Sequence, residues 1–297
     1  MNKDMLINDY MVYLATLGKS KETQRSYKTC VNRFLNDIEV EDVKEFNEMN
    51  AEFFLDYANS LREEITVATI NKHMKQLSSF YQYLVVKGIA NSNPCYKFPK
   101  LNNNDIEFKE KVMSKDEVKS ILKVADTFKV SDLRNGLRDK TIIYLLLNCG
   151  LRIGELSRIE IQDIDLGNNK LWIRGKGHNG NISRYTNFNN ITKGLIEELI
   201  NKNPNRKYLF ENYKEEKLAE GSIRKIWHRC CDIANVKGFT PHSARHTLGS
   251  SLVEKGVDLK KVAFVLGHSS YTTTEKYYVR PKESMKDVLD KVADIFE

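Results

Sequence analysis

Long apolar runs are absent from this sequence of 297 residues, and no stretch approaches the ~18 consecutive apolar residues that span a bilayer. The first residues, 1–7, mix charges with a short apolar stretch, which argues against a secretory signal. Paired cysteines are also absent, since the five thiols show no paired framework and no C-x-x-C spacing. They are Cys30, Cys95, Cys149, Cys230 and Cys231. These absences predict a cytoplasmic protein with reduced thiols and no membrane contact.

Signatures of common cofactors are missing as well. No G-x-x-x-x-G-K-[ST] loop for nucleotide phosphates occurs, and no group of Asp and Glu is spaced for two metal ions. Cys230 and Cys231 lie near His228, but sequence neighbours rarely both face one ion, so buried helix positions are the favoured interpretation. We therefore expect no metal site and no cofactor.

The excess of positive over negative residues is confined to the second part of the chain. Residues 1–111 contain 15 Lys and Arg against 16 Asp and Glu, a net charge of −1. Residues 112–297 contain 32 against 24, a net charge of +8. A merely soluble basic surface would give the same count, but the asymmetry favours a second part that holds a polyanion most tightly.

The first part of the chain shows a helical rhythm of apolar residues. Helices are predicted to begin at Ser20, Asn50 and Thr66, and the third, which is the longest, ends at 87–88. Its outward-facing residues are expected to be Lys72, Lys75, Gln76 and Ser79. Prolines and clustered asparagines in 91–105 then oppose regular structure and predict a linker.

A second domain begins with the capping box formed by Ser114 and Glu117. Two strands, 170–174 and 182–186, surround a turn rich in Gly and Asn that projects Lys176 from its tip. The remaining segments have helical patterns. The fold class is therefore mostly α (α+β): a helical N-terminal domain over 1–100, a linker over 101–112, and a mainly helical domain over 113–297 with a small antiparallel sheet.

Several segments of this second domain carry polar residues at positions where a helical protein would not need them for folding. Arg152 follows an apolar helix and is expected at a buried position, with Glu155 as its nearest anionic partner. Pro241 suits the first turn of a helix, so His242 and Arg245 would share a face.

Two further polar segments follow towards the C-terminus. Gly267 ends an apolar helix and leaves His268 in the turn. Thr272 and Glu275 form another capping box, which places Tyr277 about one turn into the next helix.

In this order the residues resemble the set that marks the tyrosine recombinase (phage integrase) family, in its Xer-like two-domain type. The resemblance covers almost the whole chain, and its strings Gly-Leu-Arg-x-Gly-Glu-Leu, His-x-x-Arg-His-Thr and Leu-Gly-His are specific. One departure is Ser243-Ala244, where many members carry an acidic or polar residue and then Leu, at positions that are not catalytic in the family. The six matching residues are Arg152, Lys176, His242, Arg245, His268 and Tyr277.

The resemblance implies a site-specific recombinase that cleaves and rejoins DNA through a 3′-phosphotyrosyl link, in integration, excision, inversion or dimer resolution. Tyr277 would be the nucleophile, His242 would accept its proton, and Lys176 would protonate the leaving 5′ oxygen. Because the covalent link retains the energy of the ester, rejoining would need neither ATP nor metal.

The resemblance also assigns the charge-stabilising residues. Arg152 and Arg245 would cradle the non-bridging oxygens of the scissile phosphate, and His268 would add a hydrogen-bond donor.

The resemblance gives the N-terminal domain a part in binding. In the family a SAM-like core-binding domain and the catalytic domain clamp opposite sides of double-stranded DNA. An ordinary solvated helix face is the alternative for the basic residues of this domain. The candidate DNA contacts are Arg25, Lys28, Lys72 and Lys75.

Assembly is a further implication, because recombination joins two duplexes and so requires a homotetramer, with possible accessory recombination proteins and a nucleoid-associated location. The C-terminal segment carries a narrow apolar stripe that would dock on a neighbouring subunit or pack on its own domain. The stripe consists of Met285, Val288, Leu289, Val292 and Phe296.

Two other functions remain alternatives at this point. A type IB topoisomerase uses similar chemistry on one duplex, and a non-catalytic DNA-binding accessory protein could descend from a recombinase. The Leu-Gly-His string and the early core-binding domain favour recombination over the first alternative, and the complete set of six residues argues against the second.

Overall fold

A computed structural model describes residues 3–38, 42–96, 98–102, 111–128, 136–174 and 182–267. The chain divides into two compact units, 1–107 and 108–297, and each unit has its own hydrophobic core. Mostly helical units with one small sheet confirm the predicted fold class.

The first unit is helical throughout its described elements. Its helices are α1 (Lys3–Thr16), α2 (Lys21–Asp37), α3 (Ala51–Ser60) and α4 (Val67–Val86), with short 3-10 turns at Val43–Asn47 and Leu61–Glu63. The predicted helix starts are confirmed, since the side chains of Ser20, Asn50 and Thr66 each accept a hydrogen bond from the backbone N–H three residues on. Helix α1 precedes the first helix that the sequence predicted.

Aromatic side chains dominate the core of the first unit. Phe34, Phe54 and Tyr81 contact one another, with the ring centroids of Phe34 and Tyr81 5.6 and 5.3 Å from that of Phe54 and 6.5 Å from each other. Tyr10 of α1 meets Phe80 of α4 edge to face at 5.2 Å. Because these rings come from α1 to α4, their packing joins the four helices into one core.

The second unit contains seven helices within the described residues. They are α5 (Lys115–Thr127), α6 (Gly136–Cys149), α7 (Ile153–Ser157), α8 (Asn190–Lys202), α9 (Glu220–Ile233), α10 (Pro241–Glu254) and α11 (Leu259–Leu266), with a 3-10 turn at Ile161–Asp163. The predicted capping box opens α5, because Glu117 N donates to Ser114 Oγ (3.2 Å) and Ser114 N donates to Glu117 Oε2 (2.7 Å). Helix α6 is buried along most of its length and packs against α5, α8, α9 and α10, so it forms the centre of this unit.

The sheet of the second unit is antiparallel, in the order β1 (Ile164–Asp165), β2 (Lys170–Arg174), β3 (Ile182–Asn187). Strands β2 and β3 confirm the predicted hairpin, whereas the two-residue β1 was not predicted. The register pairs Ile173 with Arg184. Cross-strand partners project from the same face of a sheet, so Arg184 lies on the buried side of β3.

No helix in the described ranges is both long enough and apolar enough to cross a membrane.

Candidate active site

Helix α10 begins as the sequence predicted, with Pro241 in its first turn. Thr240 and Ser243 cap it reciprocally, with Ser243 N donating to Thr240 Oγ1 (3.3 Å) and Thr240 N donating to Ser243 Oγ (3.1 Å). This cap fixes the start of the helix and so places His242 and Arg245 one turn apart. They differ in depth: His242 is exposed and Arg245 is 0% exposed.

The guanidinium of Arg245 is held by backbone carbonyls. Its Nη1 donates to Gly150 O (2.7 Å), and its Nη2 donates to Leu266 O. Gly150 has φ +59°, a left-handed conformation that glycine adopts without the steric penalty of a Cβ. Arg245 thereby joins the start of α10 to the segment after α6 and to the end of α11.

Arg152 was expected at a buried position, and this expectation is wrong, because its side chain is 47% exposed. The residue lies beyond the end of α6, at the N-cap of the short helix α7, where the chain has left the core. Its predicted partner is confirmed, since Nη1 lies 3.0 Å from Glu155 Oε1. A further donor, Nη2, reaches Gly267 O at 3.1 Å. An exposed guanidinium with fixed partners can also bind an anion from solvent.

Arg184, which the sequence did not single out, joins the same cluster. It is 8% exposed, its Nη2 lies 2.9 Å from Glu155 Oε2, and its Nη1 donates to Val265 O (2.7 Å). Burial lowers the pKa of Arg184, and the carboxylate of Glu155 opposes that shift. Side chains alternate between the two faces of a strand, and this alternation was the only sequence signal that Arg184 points inward. Using it requires the register that pairs β3 with β2.

A cavity of about 570 Å³ opens beside α7 and the start of α10. Three arginines and a histidine line it, against two glutamates: Arg152, Arg158, Arg174, His242, Glu155 and Glu220. Arg174 is paired with Asp163 at 2.6 Å, whereas Nε of Arg158 has no hydrogen-bond partner among the described residues. The three guanidiniums outnumber the two carboxylates of the lining, which makes this cavity suited to an anion.

The imidazole of His242 lies at this cavity beside positive charge. Desolvation by the surrounding protein lowers the pKa of His242, and the charges of Arg245 and Arg152 lower it further. Its ring meets that of His246 edge to face, with centroids 4.3 Å apart. At neutral pH the lowered pKa favours the neutral ring, which can accept a proton.

Three of the six predicted catalytic residues lie outside the described residues: Lys176, His268 and Tyr277. The described chain ends beside two of them. Arg174, which lines the cavity, ends β2 two residues before Lys176. Gly267, whose carbonyl accepts from Arg152, directly precedes His268. The structure therefore brings together Arg152, His242 and Arg245, and the positions of the other three remain predictions.

The four predicted DNA contacts are exposed on two packed helices, Arg25 and Lys28 on α2 and Lys72 and Lys75 on α4. The predicted outer face of α4 is wrong at Gln76, which is 3% exposed.

The reason is the contact between α4 and its neighbours. Gln76 Nε2 donates to Ser26 Oγ (2.9 Å) on α2, and the hydroxyl of Ser79 accepts from Tyr10 Oη (3.0 Å) on α1. These polar residues join the helices, so the exposed face of α4 is narrower than the sequence predicted.

The cysteines are all buried and free. Burial raises the pKa values of Cys230 and Cys231 to about 12 each, which disfavours the thiolate form that binds metals. Among the residues that the structure describes, no group of three His, Cys, Asp or Glu side chains could hold a metal ion.

Comparison with protein families gives two matches. Residues 111–285 match the profile of the phage integrase family, and residues 6–90 match that of the phage integrase N-terminal SAM-like domain.

Full-length relatives have similar sequences. A tyrosine recombinase of Agathobacter rectalis is 27% identical over 297 aligned residues, covering 95% of this chain and 94% of the relative. Tyrosine recombinase XerA of Pyrococcus horikoshii is 27% identical, covering 98% of this chain and 94% of the relative. Tyrosine recombinase XerC of Halalkalibacterium halodurans is 26% identical, covering 97% of each chain.

Solved structures share the fold. The Tn1549 transposon integrase in complex with circular intermediate DNA superposes with a TM-score of 0.71 at 18% identity, covering 97% of this chain and 98% of that one. A lambda integrase dimer bound to a COC' core site gives 0.68 at 15% identity, covering 95% and 78%.

Proposed function

The chain belongs to the phage integrase family and is a tyrosine recombinase, and we propose that it cuts and rejoins double-stranded DNA with Tyr277 as nucleophile. The observation that carries the proposal is the cluster of Arg152, His242 and Arg245. Arg152 and His242 line one cationic cavity, and Arg245 is anchored to the carbonyl of Gly150, close enough for its charge to act on His242. A phosphodiester is the substrate that such a cluster suits, because negative charge grows on its non-bridging oxygens during attack.

The chemical step follows from these groups. The phenol oxygen of Tyr277 bonds to phosphorus and its proton passes to His242, whose lowered pKa keeps the ring neutral and ready to accept it. The bond from phosphorus to the 5′ oxygen breaks, and Lys176 gives that oxygen a proton. The product is a 3′-phosphotyrosyl link and a free 5′ hydroxyl, and the reverse reaction on another strand completes the exchange.

The three remaining groups stabilise charge. Arg152 and Arg245 bind the non-bridging oxygens, and His268 adds a hydrogen-bond donor. Arg152 has the accessibility for direct contact, since its side chain is nearly half exposed.

DNA engages both units in this proposal. The unit containing residues 113–297 catalyses the reaction, and the domain of residues 1–100 binds the duplex through α2 and α4, with 101–112 as the linker. The DNA complexes of the Tn1549 and lambda integrases support DNA as the partner. Four subunits act together on two duplexes, in the cytoplasm at the nucleoid, with accessory proteins where the site requires them.

The experiment uses a suicide DNA substrate, nicked near the cleavage site so that the released fragment diffuses away and the covalent adduct accumulates. The wild-type protein should form the adduct, and Tyr277→Phe should form none while retaining DNA binding. Tyr278→Phe is the matched control, because on a helix its side chain would point roughly 100° away. Loss of the adduct in Tyr278→Phe alone would show that the neighbouring tyrosine is the nucleophile.

A second assay separates recombination from topoisomerase action. Two labelled duplexes that carry the site should exchange strands. Relaxation of supercoiled DNA without any exchange would instead identify a type IB topoisomerase activity.

A further inference from the structure

Arg184 is a buried cation that the proposed mechanism does not use. It lies on the inner side of β3, opposite Ile173, and only 8% of the residue is exposed. A guanidinium in such a place requires charged or polar partners. Its partners are the carboxylate of Glu155 and the carbonyl of Val265.

Glu155 connects Arg184 to Arg152. Its Oε1 accepts from Arg152 Nη1 (3.0 Å), while its Oε2 accepts from both Arg152 N (2.8 Å) and Arg184 Nη2 (2.9 Å). The carboxylate side chain is 10% exposed, so water does little to hold it in place. Among the described residues, Arg152 and Arg184 are the cations paired with Glu155, so without Arg184 one of these two charges and one of the three donors described above would be lost.

The other end of Arg184 reaches the end of α11. A Cβ added at Gly267 would overlap Nε and Cδ of Arg184, so the glycine leaves the space that this side chain fills. Three consecutive carbonyls at this helix end accept from three arginines: Val265 from Arg184, Leu266 from Arg245 and Gly267 from Arg152. Arg184 therefore shares one scaffold with both proposed phosphate-binding arginines.

We propose that Arg184 is a positioning residue for DNA cleavage, which fixes Glu155 and thereby holds the guanidinium of Arg152 at the scissile phosphate. The inference rests on the proposed function of Arg152 in the cleavage step. A planar fork suits the task because it binds a carboxylate oxygen and a carbonyl in different directions at once. Lysine would supply the charge from a single point and should restore the function only in part.

The test measures single-turnover adduct formation on two suicide substrates, one with a normal scissile phosphate and one with a methylphosphonate there. The methyl group replaces a charged oxygen, so cleavage of the second substrate depends much less on Arg152. The variants are Arg184→Ala, Arg184→Lys and Arg152→Ala. Arg206→Ala is the matched control, because Arg206 is half-buried and, like Arg184, donates to backbone carbonyls, here of Asn203 and Leu209, but does not line the cavity.

Arg184→Ala should slow cleavage of the phosphate substrate on the order of 10- to 100-fold, a loss like that seen at metal sites when a residue that orients a metal ligand is removed. On the methylphosphonate its rate should stay within about threefold of the wild-type rate, because the missing charge no longer needs stabilising. Arg152→Ala should show the same selectivity, Arg184→Lys an intermediate one, and Arg206→Ala none.

Equal loss on both substrates would show that Arg184 only supports the fold, and wild-type rates on both would show that it does not position Arg152; either result overturns the proposal. Thermal unfolding identifies variants that fold, and Arg184→Lys answers the question if Arg184→Ala does not. Adduct formation by the wild-type protein and its loss in Tyr277→Phe test the proposed function separately, so an unchanged substrate preference in folded Arg184 variants overturns only the positioning role.

Discussion

At the scale of single residues, His242 is the group whose titration the structure predicts. Its pKa lies below the usual value near 6.5, because of desolvation first and then the charges of Arg245 and Arg152. The neutral ring is the form present above that pKa, and it is the form proposed to accept the proton of Tyr277. Single-turnover cleavage should therefore be constant at neutral pH and fall about tenfold per pH unit well below the pKa of His242.

The electrostatic cause can be tested by removing one charge. Arg152→Ala should raise the pKa of His242 towards the usual value, as measured by NMR titration of the imidazole and assigned with a His242→Gln variant. Arg158→Ala is the control, because Arg158 lines the same cavity but is not among the groups that shift this pKa. A pKa that stays constant or falls in Arg152→Ala would contradict the described arrangement.

Lys176 is predicted to be the general acid, and its residue-scale test uses a better leaving group. Lys176→Ala should slow cleavage of normal DNA by about 10²- to 10⁴-fold, the usual contribution of a general acid. A 5′-bridging phosphorothiolate leaves as a thiolate that hardly needs a proton, so this substrate should restore cleavage by Lys176→Ala. Arg152→Ala should not be restored by it, and equal restoration of both variants would contradict the two roles.

The sequence singled out Arg152, His242 and Arg245 because the strings that contain them together resemble those of the phage integrase family, and the structure places Arg152 and Arg245 near His242. The sequence was not sufficient for Arg184, whose partner Glu155 lies 29 residues earlier and whose burial depends on the pairing with Ile173. The sequence also gave a wrong prediction for the burial of Arg152. An apolar helix before a residue does not show where the chain leaves the core, so it does not determine whether that residue is buried. Local strings identify candidate groups, whereas long-range partners require the fold.

At the scale of elements, we expect the four exposed cations on the packed helices α2 and α4 to form a basic face of the first unit. Arg25, Lys28, Lys72 and Lys75 are exposed there, while Gln76 and Ser26 join the two helices between them. Removing two of these cations, as in the double variant Lys72→Ala/Lys75→Ala, should weaken DNA binding. The slope of log affinity against log salt should become shallower by about 1.8, since each phosphate contact contributes about 0.9.

The matched control is Lys44→Ala/Lys87→Ala, which removes the same charge from exposed lysines outside this face. Fluorescence anisotropy over a salt series measures both variants on a half-site duplex. An equal change in slope for the two double variants would mean that α2 and α4 do not form the DNA-binding face.

The starts of helices were the features easiest to predict, because the residue that caps a helix is next to it in the sequence. Ser20, Thr66, Ser114 and Thr240 each cap the helix that follows them. Strand β1 is two residues long and could not be predicted, because its pairing with β2 and not its own pattern makes it a strand.

At the scale of the whole molecule, recombination requires subunits to be joined. We expect a monomer in free solution and a tetramer on paired DNA sites, linked through the apolar stripe of 285–296. Deleting 284–297 should spare binding to one half-site, weaken cooperative binding to adjacent half-sites and abolish strand exchange. Gel-shift and exchange assays measure these steps.

Full-length Lys286→Ala serves as the control, because it changes a polar residue of the same segment and leaves the stripe intact. Strand exchange at the normal rate by the truncated protein would rule out docking of this segment on a neighbouring subunit.

The end of α11 has one more consequence. The carbonyls of a helix C-terminus carry partial negative charge, and here Val265, Leu266 and Gly267 offer it to three guanidiniums. This helix end acts as an internal counter-anion for Arg184, Arg245 and Arg152. The conformational entropy of these side chains is therefore lost when the chain folds and not when the phosphate arrives, which lowers the cost of binding. In the proposed reaction, the phosphate shares Arg152 and Arg245 with these carbonyls, so we expect its binding to alter the hydrogen bonds at the end of α11, just before His268.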